Sequence, residues 1–126
     1  MTTPRNAIDW FEIPVRDMNR AATFYEQLLA TTLRRESIND HALAVFDAGE
    51  TGTGGCLMAG ADTPAPATNG TLIYLHAGAS LDAVLARVER LGGRITTPKV
   101  TLPGDMGVFA HIADTEGNRV GLHAAV

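Results

Sequence analysis

With 126 residues, 45% of them hydrophobic and 19% charged, the chain has the size and apolar content of a single domain. A formal net charge of −4 argues against a general binder of nucleic acid or anionic membrane, and no apolar run approaches the about 18 residues of a membrane span. The single cysteine, Cys56, excludes an intrachain disulfide and a multi-cysteine zinc site, and the first residues lack the apolar stretch of a signal peptide, so a cytoplasmic location is expected.

Ile8–Val15 is rich in β-branched and aromatic residues and reads as a first strand. Asp17 is a candidate N-cap, and Met18, Ala21, Ala22, Tyr25, Leu28 and Leu29 follow at helical spacing. Thr32–Ile38 and Ala42–Ala48 read as strands around an Asn39-Asp40 turn, with His41 expected at the surface. The basic pair Arg34–Arg35 reads as a solvated strand face. Gly49–Gly55 lacks the Lys-Ser/Thr step of a phosphate-cradling loop, so it reads as a flexible edge leading into a short strand, Cys56–Ala59. Gly60–Asn69, with Pro64 and Pro66, reads as a linker.

The second half opens with a strand at Thr71–Ala77. Ser80 then caps a helix carrying Leu81, Val84, Leu85, Val88 and Leu91, with Gly92 as its left-handed stop. Strands follow at Arg94–Val100, Gly107–Ala113 and Asn118–Ala124, the last two joined by a turn in which Gly117 is left-handed. Met18 pairs with Leu81, Ala21 with Val84, Ala22 with Leu85, Tyr25 with Val88 and Leu28 with Leu91, at a constant offset of 81 − 18 = 63. The order is βαβββ–βαβββ, an α+β class made by duplication. It spans one domain, 1–126, with module one at about 7–60, a linker at about 60–69 and module two at about 70–125. One helix covers one face of each sheet, so the other face needs a partner or lines a cavity.

Trp10–Leu29, with its Val-x-Asp step and Phe24-Tyr25, resembles the opening strand and helix of the glyoxalase/bleomycin-resistance/dioxygenase (vicinal oxygen chelate) superfamily. Leu81–Gly93 resembles its second-module helix, and Asp114-Thr-Glu-Gly-Asn its Asp-Pro-x-Gly-Asn turn, with Thr115 where proline is usual. The likeness covers nearly the whole chain and extends to small bacterial proteins related to lactoylglutathione lyase. It implies two modules forming a curved mixed sheet around a shared pocket, closed within one chain or, as is common, between the two chains of a homodimer. Its members include lyases, isomerases, dioxygenases and antibiotic-binding proteins, so the resemblance implies no single activity.

Metal-dependent members place His, Gln or Glu on the first and last strand of each module. The matching positions here are Trp10, Gly55 or Cys56, Leu72 or Ile73 (Thr71 under a further shift), and Gly121. An indole carries only an N–H donor and glycine has no side chain, so no cofactor is expected and a divalent metal in that position is disfavoured. His111 and His123, on neighbouring strands, offer a displaced metal pair as the alternative.

Strand alternation sends Trp10 and Glu12 to the pocket side and Phe11, Ile13 and Val15 to the helix side. A buried, unpaired Glu12 would act as an acid or base; pairing with Arg119 or contact with solvent at the mouth is the bland alternative. In the second opening strand, an offset of 63 equates Glu12 with Leu75, whereas 62 equates it with Tyr74 and sends Leu72, Tyr74 and His76 inward. The second register fits the family better. His111 matches a pocket position of the dioxygenase relatives, and His123 shares a strand face with Gly121. Trp10, Glu12, Met58, Leu72, Tyr74, Phe109, His111 and His123 are therefore the candidate ligand pocket, with Glu12 and His111 as candidate catalytic groups. Two readings stand. One is a metal-free cup holding a small hydrophobic or aromatic molecule. The other is a lyase-, isomerase- or dioxygenase-type enzyme using Glu12 and His111 or a displaced metal.

Overall fold

The structure, a computed structural model, describes residues 6–126. Its elements run β1 (Trp10–Pro14), α1 (Met18–Leu29), β2 (Arg34–Ile38), β3 (His41–Val45), β4 (Gly54–Ala59), β5 (Tyr74–His76), α2 (Leu81–Val88), β6 (Arg94–Thr101), β7 (Val108–Ala113) and β8 (Arg119–Ala124). The βαβββ order thus occurs twice. Each half is one four-stranded mixed sheet, ordered β1-β4-β3-β2 and β5-β8-β7-β6, in which the opening strand runs parallel to the closing one.

Local chemistry accounts for the boundaries. The Asp17 carboxylate accepts from Arg20 N at 3.1 Å and the Ser80 hydroxyl from Ala83 N at 3.3 Å, so both helices begin on their expected caps. α1 stops at a left-handed Ala30, whereas α2 gives way after Val88 to turns that end at Gly92, φ +100°. Asn39 and Asp40 both have positive φ, the geometry a two-residue hairpin between β2 and β3 requires. β4 starts earlier than its apolar residues suggest, because Gly54 and Gly55 pair with Trp10 and Phe11 of β1. β5 is shorter than the Thr71–Ala77 run. His41 is half-buried rather than exposed, its ring lying over Gly60, where any Cβ would collide with it.

The helix side of both sheets merges into one apolar core. Ile13, Val15, Leu75, Ala77, Ile112 and Leu122 meet Tyr25 and Leu28 of α1 and Leu81 and Val88 of α2 there. The two opening strands occupy equivalent places: Val15 N donates to Met58 O at 2.9 Å and Ala77 N to His123 O at 2.8 Å. The strands therefore repeat at 75 − 13 = 62, although the helices repeat at 63. The extra residue sits in the Gly78–Ala79 connector, where Gly78 takes φ +83°.

Across the halves, α1 and α2 are the elements that meet, and a polar lock reinforces them. The buried Glu116 carboxylate accepts from Arg16 N and Asp17 N, both at 2.9 Å, from Arg20 Nε at 2.7 Å and from the Thr115 hydroxyl at 2.9 Å. Asp114 Oδ1 accepts from Glu116 N and Asn118 N, while Asn118 Nδ2 donates to Pro14 O at 2.8 Å. The β7–β8 turn, read from sequence as a simple reversal, is thus the clasp between the modules. The 60–69 segment lies between them, and Arg119 N donates to Ala67 O at 3.3 Å.

Candidate functional site

The two sheet faces turned away from the core carry the candidate residues. On the first, the β1–β4 register sets Trp10 beside Gly54 and Glu12 beside Cys56. Cys56 is fully buried and forms a small apolar cluster with Leu43, Val45 and half-buried Met58, separate from the main core. Burial, and then the charge of Glu12, push the Cys56 thiol up to about 11 against the pull of the Trp10 indole N–H. This thiol is protonated at neutral pH, and so is not a nucleophile. Glu12 itself is exposed, as in the solvent-contact alternative, and no ion pair joins it to Arg119 among the described residues.

On the second sheet, Tyr74 lies beside Gly121, with its ring filling the space that a side chain at Gly121 would need. The Tyr74 hydroxyl is 2.8 Å from His111 Nε2, and His111 Nδ1 is 3.0 Å from the Thr97 hydroxyl. Phe109 flanks both rings, with centroids 5.8 Å from Tyr74 and 5.3 Å from His111. Partial burial, and then the nearby Arg119 charge, lower the His111 pKa, so its imidazole is neutral at pH 7. A neutral ring with its proton on Nδ1 donates to Thr97 and accepts from Tyr74, which leaves the relay satisfied. His123 is engaged elsewhere, its Nε2 donating to Met106 O at 2.6 Å.

Two grooves take up half of the expected set, Trp10 and Glu12 in one and Leu72 and Tyr74 in the other, whereas Met58, Phe109, His111 and His123 line neither. One, of about 450 Å³, runs along the free edge of β1 past Ile8, Trp10 and Glu12 to Ile73 and Arg119. The other, of about 750 Å³, passes Phe46, Gly54, Leu72, Tyr74 and His76. A further hollow of about 580 Å³ beside Ser80, Asp82 and Lys99 holds none of the expected residues. Glu12 and His111 therefore occupy different sheets and have different neighbours: Cys56 and Trp10 for the first, Tyr74, Phe109 and Thr97 for the second. The sequence reading missed Arg119 and Thr97 as site residues. Alternation along β8, which puts Arg119 on the face of Gly121 and His123, was the signal for Arg119.

The family metal does not fit these residues. An indole, a protonated thiol, Leu72 and a glycine covered by a tyrosine ring supply no anionic oxygen or free imidazole. Both ring nitrogens of His111 are already partnered, and no cluster of three His, Cys, Asp or Glu suited to a metal occurs among the described residues. No described helix is long and apolar enough to cross a membrane.

Comparison with known proteins gives a consistent outcome. The family model described as glyoxalase/bleomycin resistance protein/dioxygenase superfamily matches residues 7–122. No curated protein matches the chain. Among solved structures, a glyoxalase/bleomycin resistance protein from Streptomyces sp. CB03234 is 25% identical, with 90% of this chain and 96% of that one covered and a TM-score of 0.66. An antibiotic binding protein from the same organism is 23% identical, with 98% of both chains covered and a TM-score of 0.67. A glyoxalase I mutant from Zea mays is 22% identical with a TM-score of 0.67; 92% of this chain is covered but only 46% of the maize chain, so this chain spans about half its length.

Proposed function

Because the chain belongs to the glyoxalase/bleomycin resistance protein/dioxygenase superfamily, we propose that it is a binding protein for a small, partly hydrophobic or aromatic molecule, which it holds without the family metal. The observation that carries this reading is the pairing of Tyr74 with Gly121. An aromatic ring fills the last-strand ligand position and joins Phe109 and His111 in a surface ready to stack on a planar molecule. Trp10, 46% exposed, offers the same chemistry on the other sheet, and Tyr74 is 47% exposed. Aromatic side chains left open on the two sheet faces support this reading. The antibiotic binding protein of like fold supports the same ligand class. A second copy of the chain would cover these faces and the unpaired edges of β1 and β5, making a homodimer with two equivalent cups.

Trp10 is the only tryptophan in the chain and reports directly on the groove along β1. Titration with planar aromatic probes should quench or shift its emission, and W10F should remove the signal. Dialysis against Ni, Zn, Fe or Mn should leave less than stoichiometric metal and no thermal shift; a stoichiometric ion would reject the metal-free reading. Sedimentation should give twice the 13.3 kDa chain mass.

The Tyr74–His111–Thr97 chain favours one second reading, an enzyme in which His111 relays a proton to or from Tyr74. If a captured ligand is converted on incubation, H111Q should abolish conversion while binding persists. Loss of both together would assign His111 to binding and not to proton relay.

A further inference from the structure

Arg119 opens β8 on the sheet face of Gly121 and His123 and reaches into the groove along β1. Its Nε is buried and has no hydrogen-bond partner, and one outer nitrogen reaches only the Gly70 carbonyl, at 3.4 Å. The three ion pairs among the described residues, Arg20–Glu116, Arg34–Glu36 and Lys99–Asp82, do not involve it. A buried N–H of this kind is costly unless something accepts from it. The guanidinium is a planar fork matched to two oxygens of one carboxylate, and the groove around it has Ile8, Trp10, Ile73 and Val120 on its walls beside the polar Glu12, Thr71 and Asn118. Glu12, on the same groove, is a carboxylate that Arg119 does not engage.

We infer that Arg119 is the polar anchor of the binding groove and selects ligands that carry a carboxylate on an aromatic or apolar body. The carboxylate accepts from the outer nitrogens of the fork, competing with the long Gly70 contact, and the body lies against Trp10 and Ile73. Glu12 acts as the discriminating group, since its charge repels a ligand that brings its anion to the wrong end of the groove. Arg119 also lies close enough to His111 to influence it, so one cation is shared by the groove and the aromatic cluster. The inference rests on the small-molecule reading above and adds the ligand class.

The test uses three probes read by Trp10 emission and calorimetry on the full chain: 3-phenylpropionate, its neutral amide, and neutral N-phenyl-1-naphthylamine. The carboxylate should bind about tenfold or more tighter than the amide. R119Q should erase that preference, R119K should keep part of it, and E12Q should tighten carboxylate binding a few-fold. Melting curves of R119Q and R119K verify that each is folded, and the R119K and E12Q responses are ones a merely structural arginine would not produce. Equal affinity for acid and amide, or a preference that survives R119Q, overturns the inference. If N-phenyl-1-naphthylamine binds and the acid has no advantage, the ligand class alone is wrong. If none of the three binds, the small-molecule reading fails with it.

Discussion

The Tyr25 phenol of α1 is completely buried and donates a 2.7 Å hydrogen bond to Asp114 Oδ2, a residue 89 positions further along the chain. Burial first, and then the Asp114 charge, hold the phenol pKa well above its ordinary value, so it stays a donor across the accessible pH range. Y25F keeps the ring and deletes the donor, leaving Oδ2 with Asn118 Nδ2 as its remaining partner. The expected cost is about 1.5–3 kcal/mol, the range for a hydrogen bond to a charged group, read from urea midpoints at unchanged m. A loss below about 0.5 kcal/mol would show that the clasp does not depend on this bond.

Glu116 sets an acid limit on the fold. Burial alone would raise its pKa, but donation from Arg20, from the Asp17 and Arg16 amides and from Thr115 brings it down from 4.5 to about 2. A carboxylate with a depressed folded-state pKa stabilises fully above its unfolded value, and that stability drains away as the pH falls through the folded one. Stability should therefore drop between about pH 4.5 and pH 2. E116Q should be less stable at pH 7 and flatter across that window. Urea midpoints at half-unit pH steps settle it, and an equally steep acid limb in E116Q would place the titration elsewhere.

Gly121 and Tyr74 should behave as one unit. A methyl at Gly121 collides with the Tyr74 ring, and displacing a packed ring costs about 1–3 kcal/mol. G121A should therefore destabilise by that amount in the native background and by much less when Tyr74 is already Ala. A double-mutant cycle measures the coupling, and additivity within about 0.5 kcal/mol would mean that the ring moves freely.

His111 is held neutral first by its partial burial and second by Arg119. Its imidazole signals should titrate below the ordinary 6.5. In R119Q the midpoint should rise without returning fully, because burial remains. An unchanged midpoint would assign the whole shift to burial.

The modular order was legible because period and punctuation agree. The 3.6-residue spacing after Asp17 and Ser80 marks both helices, and turn chemistry at Asn39-Asp40 and Gly117 marks two hairpins. The β5 register was open between two offsets because the strand and helix repeats differ by one residue, and the packed core agrees with the preferred offset of 62, with Leu75 standing where Ile13 does. The site was less legible. Alternation assigns each side chain to a face, but the relation between two sheets is set by the Glu116 and Asp114 bonds across about a hundred positions. Local pattern cannot carry that information, so Glu12 and His111 looked like partners.

The clasp also dictates an order of events in time. The first module can form its helix and hairpin as soon as they are made, yet the phenol of Tyr25 and the open amides of Arg16 and Asp17 have only water as acceptor until residues 114–116 exist. On the ribosome, the first half must wait without its clasp for the β7–β8 turn to emerge. Long-range closure of this sort is slow. The waiting half, with Trp10 and an unpaired β1 edge on view, is the stage at which newly made chains are most exposed to misassembly with one another.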